Sequence, residues 1–301
     1  MKKENNPISL REPLIAISIG IVMLIFGIIF DFQISSAIYD PINTSYFGII
    51  MSGICELPVC FTLALGGSLL IIGRNKENKA HSILSFIFGI IAMIVGAYYV
   101  YDTFLDIAKF QSTQDYELLI TILGIVFAVV FVGLTVFFTF KFTKSYEDKK
   151  KLFIFGFYML VSVAIVAALA TGFKYLWSRP RPRYIFSQEN TQELFHPLWM
   201  LNPFKAFKEG NNFKSFPSGH TTYASLGMFI FPYLGFLFGK DKKINIVLFY
   251  IGLVWALLAA LSRIVAGAHF LSDVSFGLLI TSCSGLLINK IMFRKKGLEI
   301  F

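Results

Sequence analysis

The chain has 301 residues, of which 56% are hydrophobic and only 15% are charged, with a mean hydropathy of +0.68. A soluble domain carries about a quarter charged residues, so this composition argues against a soluble globular protein. The net charge of +9 would suit a nucleic-acid-binding protein. The basic residues, however, lie in short linkers between long apolar runs, which argues against nucleic acid as a partner.

Long apolar runs, each about the length needed to cross a bilayer core, predict eight membrane-spanning helices. They lie at 14–30, 46–72, 82–101, 118–140, 152–173, 221–239, 244–262 and 271–289. Almost no room is left for a soluble module. The predicted fold class is therefore all-α, a polytopic membrane helical bundle that forms a single domain over residues 1–301.

The linkers between the runs alternate in charge. Residues 31–45 contain no Lys or Arg, and residues 102–117 contain only Lys109. Because short cytoplasmic loops are enriched in basic residues, this alternation predicts a multi-pass protein of the cell membrane with both termini in the cytoplasm. The first run could instead be a cleaved signal peptide, but an uncleaved span is favoured. The basic linkers contain Lys2, Lys3 and Arg11; Arg74, Lys76 and Lys79; residues 141–151; Lys240, Lys242 and Lys243; and residues 290–296.

A long stretch without an apolar run begins after the fifth span, and the loop alternation predicts that it lies outside. Lys174 and Arg181-Pro182 stand at its start. Proline ends a helix, so the arginines of this segment are expected on an extended stretch just above the bilayer. Guanidinium groups bind phosphate oxygens bidentately. The alternative is that these cations only anchor a helix end at the interface.

The second motif is Phe216-Pro217-Ser218-Gly219-His220, at the outer start of the sixth span. A helix N-terminus offers unpaired backbone N–H groups and the positive end of the helix dipole, which suits a phosphate. Ser218 adds a hydroxyl, Gly219 allows close backbone approach, and His220 can exchange a proton near neutral pH. An ordinary helix start with an interfacial histidine is the alternative.

The third motif joins the seventh and eighth spans and contains Ser262-Arg263, His269 and Asp273. His269 and Asp273 are four residues apart and so share one face of a helix. We expect the carboxylate to bind one ring nitrogen of His269 and to leave the other as a nucleophile or base. A purely structural pair at a helix start is the alternative. The predicted topology brings all three motifs to the same face of the membrane.

Together the three motifs resemble the signature of the type-2 phosphatidic acid phosphatase superfamily. That family includes lipid phosphate phosphatases, undecaprenyl-diphosphate and phosphatidylglycerophosphate phosphatases, glucose-6-phosphatase and vanadium haloperoxidases. The resemblance covers residues 152–290 firmly and the first two spans more loosely. The family core has six membrane helices, so the two spans at about 82–140 look like an inserted helical hairpin.

The resemblance implies a role for each signature residue. His269 would be the nucleophile that forms a phospho-histidine, held by Asp273, and His220 would be the general acid and then the general base. A set of cations and polar groups would bind the phosphate oxygens. That set consists of Lys174, Arg181, Ser218, Gly219 and Arg263. With three cations in the site, and no acidic or cysteine cluster suited to a metal, no metal and no cofactor are expected.

These expectations add up to metal-independent hydrolysis of a lipid phosphate or diphosphate at the outer membrane–water interface. Undecaprenyl diphosphate, phosphatidylglycerophosphate and phosphatidate all fit, and a water-soluble phosphate ester is a further alternative. Two other functions stay open: a phosphotransferase of the same fold, and a non-enzymatic transporter. The scarcity of charges deep in the spans argues against a transporter, although Glu56 is an exception with no assigned role. Membrane lipids and the lipid substrate are the expected partners, without an obligate protein partner.

Overall fold

The computed structural model of the protein describes residues 6–40, 45–108, 115–144 and 146–293. Over these ranges the chain forms helices and no strand, so the predicted all-α fold class is confirmed. Lys2, Lys3 and the basic residues after residue 293, which contribute to the topology prediction, lie outside the described ranges. The α-helices are α1 (Arg11–Ile38), α2 (Tyr46–Ile54), α3 (Leu57–Gly73), α4 (Lys79–Ala108), α5 (Glu117–Thr143), α6 (Lys149–Trp177), α7 (Pro182–Ile185), α8 (Thr191–Leu194), α9 (Lys205–Glu209), α10 (Gly219–Ala224), α11 (Gly227–Leu237), α12 (Lys242–Val265) and α13 (Leu271–Met292).

Seven segments of the described chain are helical, long and apolar enough to cross a membrane, which agrees with a polytopic bundle. The predicted sixth span, at 221–239, is not one continuous helix but is split into α10 and α11. At the break the Ser225 hydroxyl donates to the Thr221 carbonyl oxygen at 2.7 Å, and the Leu226 N–H donates to the Tyr223 carbonyl oxygen, only three residues back. Serine back-bonding and three-residue hydrogen bonds tighten and bend a helix. The predicted sixth span is therefore helical but broken at Ser225.

Helix α3 lies at the centre of the bundle. Of the span formed by α2 and α3, 83% is buried, against 17% of α5. A Cβ atom at Gly66 would lie 3.3 Å from the Gly156 carbonyl oxygen of α6, and one at Gly67 would lie 2.5 Å from the Gly89 carbonyl oxygen of α4. Small residues let membrane helices approach closely. The two adjacent glycines thus let α3 pack between α4 and α6.

The predicted hairpin at 82–140 consists of α4 and α5, and its connection at 109–114 lies outside the described residues. Helix α4 packs against α3, and α5 packs against α4, where Gly124 approaches Phe104. Most large apolar side chains of α5 are exposed, as expected for a surface that faces lipid. The hairpin joins the bundle mainly through α4, which packs against α3, and α5 also contacts α3.

The chain segments that carry the three motifs meet at one end of the bundle. The Ser218 N–H donates to the Asp273 carbonyl oxygen at 3.1 Å, and the Arg183 N–H donates to the Gly267 carbonyl oxygen at 2.8 Å. Helix α1 reaches the same place, because Gly27 lets the start of α13 approach it: a Cβ atom there would lie 2.5 Å from the backbone nitrogen of Ser272. The end of α1 is therefore part of the framework around the motifs.

Candidate active site

A polar cavity of about 240 Å³ opens among the three motifs. Five of the residues predicted from the sequence line it, together with Glu56 at the break between α2 and α3 and with residues of α4 and α10. The lining consists of Glu56, Tyr99, Asp102, Lys174, Arg181, Arg183, Asn211, Gly219, His220, Tyr223 and Arg263. Such a concave, cation-rich chamber can bind an anionic group.

The first motif is positioned by the end of α6. The helix stops at Ser178, which adopts the left-handed conformation, with φ of 40°. Arg181 then lies on extended backbone, where its Nε donates to the Asn211 carbonyl oxygen at 2.9 Å and its Nη2 to the Asn211 Oδ1 at 3.1 Å. Two fixed contacts with one asparagine hold the guanidinium plane at the cavity wall. Lys174, one turn before the helix end, lines the same wall.

The second motif forms the start of α10. Ser218 is the N-cap, and its hydroxyl accepts a hydrogen bond from the Thr221 N–H. A Cβ atom at Gly219 would lie 3.2 Å from the Lys174 Nζ, so a side chain there would crowd the ammonium group. Glycine therefore keeps the Lys174 charge close to the N-terminus of α10. Gly219 and His220 line the cavity, whereas Ser218 is buried beneath them.

The third motif holds His269 differently from the prediction. Its Nδ1 lies 2.6 Å from the Ser215 carbonyl oxygen but 3.9 Å from the Asp273 Oδ2, which is too long for a hydrogen bond. A carbonyl oxygen only accepts, so Nδ1 carries the proton and the Nε2 lone pair is available. Asp273 supports His269 indirectly. Its Oδ2 accepts hydrogen bonds from the Ser215 hydroxyl at 2.5 Å and from the Phe270 N–H at 2.8 Å.

The charge state of His269 follows from its surroundings. The side chain is only 1% exposed, and burial lowers its pKa well below the ordinary value for histidine. The positive charges of Arg181, Arg263 and Lys174 lower the pKa further. Both effects disfavour an added proton, so His269 is neutral at physiological pH and able to act as a nucleophile.

Arg179 is a central residue for which the sequence predicted no role of its own. It is completely buried, and its guanidinium bridges Asp273 at 2.7 Å and Asp31 of α1 at 3.0 Å. It also donates to the His196 carbonyl oxygen at 2.7 Å and lies 4.1 Å from the Phe270 ring centroid. The signal that could have found Asp31 is a carboxylate at the end of an apolar run, which requires a partner.

Arg263 reaches the cavity from the end of α12. Its Nη1 donates to the hydroxyl of Ser52, a residue of α2. Its Nε is buried and, among the described residues, has no hydrogen-bond partner. Buried guanidinium N–H groups are almost always paired, so an anion in the cavity would supply the missing acceptor.

Glu56 and two residues of α4 complete the wall on the side of His220. The Glu56 Oε1 lies 3.4 Å from the His220 Nδ1, and Tyr99 and Asp102 line the same side. The Tyr99 hydroxyl donates to the Tyr223 hydroxyl at 3.4 Å. No sequence motif contains Glu56, Tyr99 or Asp102, so no role was predicted for them.

Residues 151–296, just under half of the chain, match the family model of the PAP2 superfamily. This part of the chain is similar to that superfamily. The match covers all three motifs and agrees with the resemblance inferred for residues 152–290.

Three phosphatases are similar to this chain. Phosphatidylglycerophosphatase B of Haemophilus influenzae is 29% identical over 183 residues, which are 52% of this chain and 72% of the relative. Lipid A 4'-phosphatase of Francisella tularensis subsp. novicida is 32% identical over 41% of this chain and 51% of its own length. Lipid A 1-phosphatase of Rhizobium johnstonii is 32% identical over 48% of this chain and 50% of its own length. No solved structure matches the chain.

The match to the PAP2 superfamily and the phosphatase relatives support a membrane phosphatase of the phosphomonoester-hydrolysing class. Of the eight signature residues, five line the cavity: Lys174, Arg181, Gly219, His220 and Arg263. His269, Asp273 and Ser218 are buried and do not belong to its lining. The arrangement joins an anion-binding wall to one neutral, oriented imidazole and one imidazole beside a carboxylate.

Proposed function

We propose that the protein hydrolyses a lipid phosphate or diphosphate through a phospho-histidine intermediate. The observation that carries the proposal is the neutral His269, whose Nδ1 donates to a backbone carbonyl oxygen behind a cavity lined by Lys174, Arg181 and Arg263. A nucleophile with a fixed tautomer beside three cations is suited to attack on an anionic phosphorus.

In the first step the Nε2 lone pair of His269 attacks phosphorus, and the bond from phosphorus to the leaving oxygen breaks. His220 gives its proton to that oxygen. The three cations bind the non-bridging oxygens and offset the charge that builds up on them. Asp273 holds the Ser215 loop and the start of α13, and through Ser215 it fixes the orientation of His269.

In the second step His220, now neutral, removes a proton from water. The oxygen of that water attacks the phosphorus of phospho-His269, and the bond from phosphorus to nitrogen breaks. Inorganic phosphate leaves, and both histidines return to their starting states. The reaction needs no metal, because Lys174, Arg181 and Arg263 neutralise the phosphate.

A lipid substrate is supported by two considerations. The cavity lies at one end of a bundle of membrane helices, where a lipid headgroup would lie, and all three relatives are lipid phosphatases by name. We place this end on the outer face of the cell membrane and both chain termini in the cytoplasm, as the loop charges predict. A fluorescent protein fused to the C-terminus should then be fluorescent, because it folds in the cytoplasm.

We further propose that the chain is a single domain in which the α4–α5 hairpin is an addition to a six-helix core. The residues Tyr99 and Asp102 of α4 line the cavity, so the added hairpin would contribute to the choice of headgroup. A Tyr99→Phe, Asp102→Asn double variant should change the relative rates among lipid phosphates. An unchanged order of substrates would contradict this role.

Phosphate release by the purified protein tests the function across phosphatidate, phosphatidylglycerophosphate, lipid A and undecaprenyl diphosphate. Excess chelator should leave the rate unchanged, and vanadate should inhibit it. His269→Ala should abolish release, with His81→Ala at the far end of α4 as the control. Near-normal turnover by His269→Ala would exclude the mechanism.

A labelled phosphate group follows the intermediate. With 4-nitrophenyl phosphate labelled on phosphorus, whose leaving group needs no proton, His220→Ala should retain acid-labile label on the protein, whereas His269→Ala should retain none. Label that appears on added glycerol rather than in free phosphate would instead identify a phosphotransferase, since the same intermediate serves transfer.

A further inference from the structure

Glu56 lies at the break between α2 and α3, outside all three motifs and outside the residues that match the family model. Its side chain is 8% exposed, and its Oε1 lies 3.4 Å from the Nδ1 of His220. A carboxylate this deep in a membrane protein is costly unless it is paired, and it usually has a function. The contact with His220 is one such pairing.

We propose that Glu56 is a positioning residue for His220. Its carboxylate accepts a hydrogen bond from the Nδ1–H of His220, directs the Nε2–H toward the leaving oxygen, and stabilises the imidazolium that the first step requires. This inference rests on the proposed function, in which His220 is the general acid. At 3.4 Å the contact is longer than the optimum, and catalytic hydrogen bonds commonly tighten when substrate binds.

The backbone at Glu56 is fixed in place from two sides. The Glu56 carbonyl oxygen accepts hydrogen bonds from Val59 and Cys60 at the start of α3, at 3.0 Å and 3.3 Å. The carbonyl oxygen of the preceding Cys55 accepts a hydrogen bond from the Trp255 Nε1 of α12 at 3.0 Å. The break in the second span is thus tied to α12, and the carboxylate is held at a constant distance from α10.

The charges around His220 determine whether loss of Glu56 makes protonation of the imidazole easier or harder. Cations contributed by α6, by the segment after it and by α12 disfavour a protonated imidazole, whereas Glu56 and Asp102 favour it. Glu56 is in direct contact, so it opposes the cations most strongly. The titratable and charged groups that share the cavity region with His220 are Glu56, Tyr99, Asp102, Lys174, Arg181, Arg183, Tyr223, Arg263 and His269.

Removal of the Glu56 charge should therefore make His220 lose its proton at lower pH. In Glu56→Gln the alkaline limb of the kcat/KM profile should move down by about one pH unit, so that activity on that limb falls roughly tenfold. Glu56→Asp keeps the charge at a longer distance and should lie between the two profiles. Glu12→Gln is the matched control, since Glu12 is also buried but lies 19 positions before Asp31 on α1, roughly 28 Å away along the helix.

The inference is overturned if Glu56→Gln keeps the wild-type profile, or if it loses activity equally at every pH, since equal loss indicates a structural role only. A shift of the same size in Glu12→Gln would also overturn it. If Glu56→Gln does not fold, Glu56→Asp carries the test, and an unshifted profile in that variant contradicts the proposal.

A second readout separates this inference from the proposed function. The imidazole Cε1–H NMR signal of His220, assigned by its loss in His220→Gln, reports protonation in the resting protein without turnover. Its titration midpoint should fall in Glu56→Gln and stay constant in Glu12→Gln. Absence of phosphate release by the wild-type protein would contradict the function, whereas an unmoved NMR midpoint would contradict the role of Glu56.

Discussion

The two active-site histidines have differently built surroundings. His269 is 1% exposed, is hydrogen-bonded to a backbone carbonyl oxygen, and lies next to a network in which Arg179 joins Asp273 to Asp31. His220 is 15% exposed, lies on the cavity wall, and has the carboxylate of Glu56 as its close neighbour. One histidine is fixed by a dense buried network and the other by a side-chain pair.

The two settings also come from different parts of the chain. The partners of His269 lie within residues 151–296, which match the family model. Asp31, which binds Arg179 in the neighbouring network, lies outside this region. The groups beside His220 are Glu56, which precedes α3, and residues of α4, and they lie outside that region. Within the proposed active site, the proposed nucleophile is therefore supported by the region that matches the family model, and the proposed acid–base residue is supported by residues outside it.

Replacement of His220 tests the proposed acid–base role of this histidine and has the largest expected effect. His220→Ala should lower kcat/KM, which reports the first step, about 10²–10⁴-fold on a lipid phosphate, because the leaving oxygen receives no proton. The loss of kcat/KM should be smaller on 4-nitrophenyl phosphate, whose leaving group departs without protonation. Equal losses of kcat/KM on both substrates would argue against a general acid, and His81→Ala should match the wild type on both.

Removal of Arg179 tests the network around His269. Arg179→Ala leaves two buried carboxylates without their shared cation and should lower the free energy of unfolding by about 3–5 kcal/mol. Thermal unfolding in detergent measures this change. Arg11→Ala, at the exposed start of α1, is the control and should change stability by less than about 0.5 kcal/mol. A similar melting temperature for both variants would mean that the network does not stabilise the fold.

The lowered pKa of His269 predicts an acid-sensitive fold with a neutral nucleophile. The native state keeps His269 uncharged, whereas the unfolded chain takes up a proton below about pH 6.5, so stability should fall as the pH drops through that value. The NMR signal of His269, assigned with His269→Ala, should keep its neutral position as the pH falls below about 6.5. A midpoint at or above 6.5 would contradict the burial argument.

The smallest effect is expected at Ser52, which accepts a hydrogen bond from Arg263. Ser52→Ala should raise KM by about tenfold or less, because a hydrogen bond to a charged group contributes about 1.5 kcal/mol. Ser68→Ala is the matched control, since that buried hydroxyl donates only within α3 and to the Met93 sulfur. Steady-state kinetics on the same lipid distinguish the two, and a larger effect of Ser68→Ala would point to packing instead.

The sequence predicted the features that depend on residues close together in the chain, namely the spans and the motifs. Run lengths predicted the spans because a bilayer requires a minimum helix length, and motif spacing predicted the residues that line the cavity. The break at Ser225 was missed, since serine back-bonding leaves no gap in the apolar run. The tautomer partner of His269 was also missed: the four-residue spacing favoured Asp273, but the acceptor is the Ser215 carbonyl, 54 residues away.

The role of Glu56 could not be predicted for a related reason. Its partner His220 lies on a different helix, and only the packing of α3 against α10 brings the two together. The sequence did single out Glu56 as a charge within an apolar run, which is a physical signal that a partner exists. The sequence did not identify that partner, because the residue pattern of one sequence does not show which distant residues come into contact.

The contact between Asp31 and Arg179 has a consequence for the biogenesis of the protein. The two residues are 148 positions apart, so α1 is synthesised long before the cation that pairs with it. Until α6 has been made, the Asp31 carboxylate gains most by staying hydrated at the membrane surface, since an unpaired charge in lipid is costly. Final docking of α1 is therefore a late event, coupled to the insertion of the same segments that complete the active site.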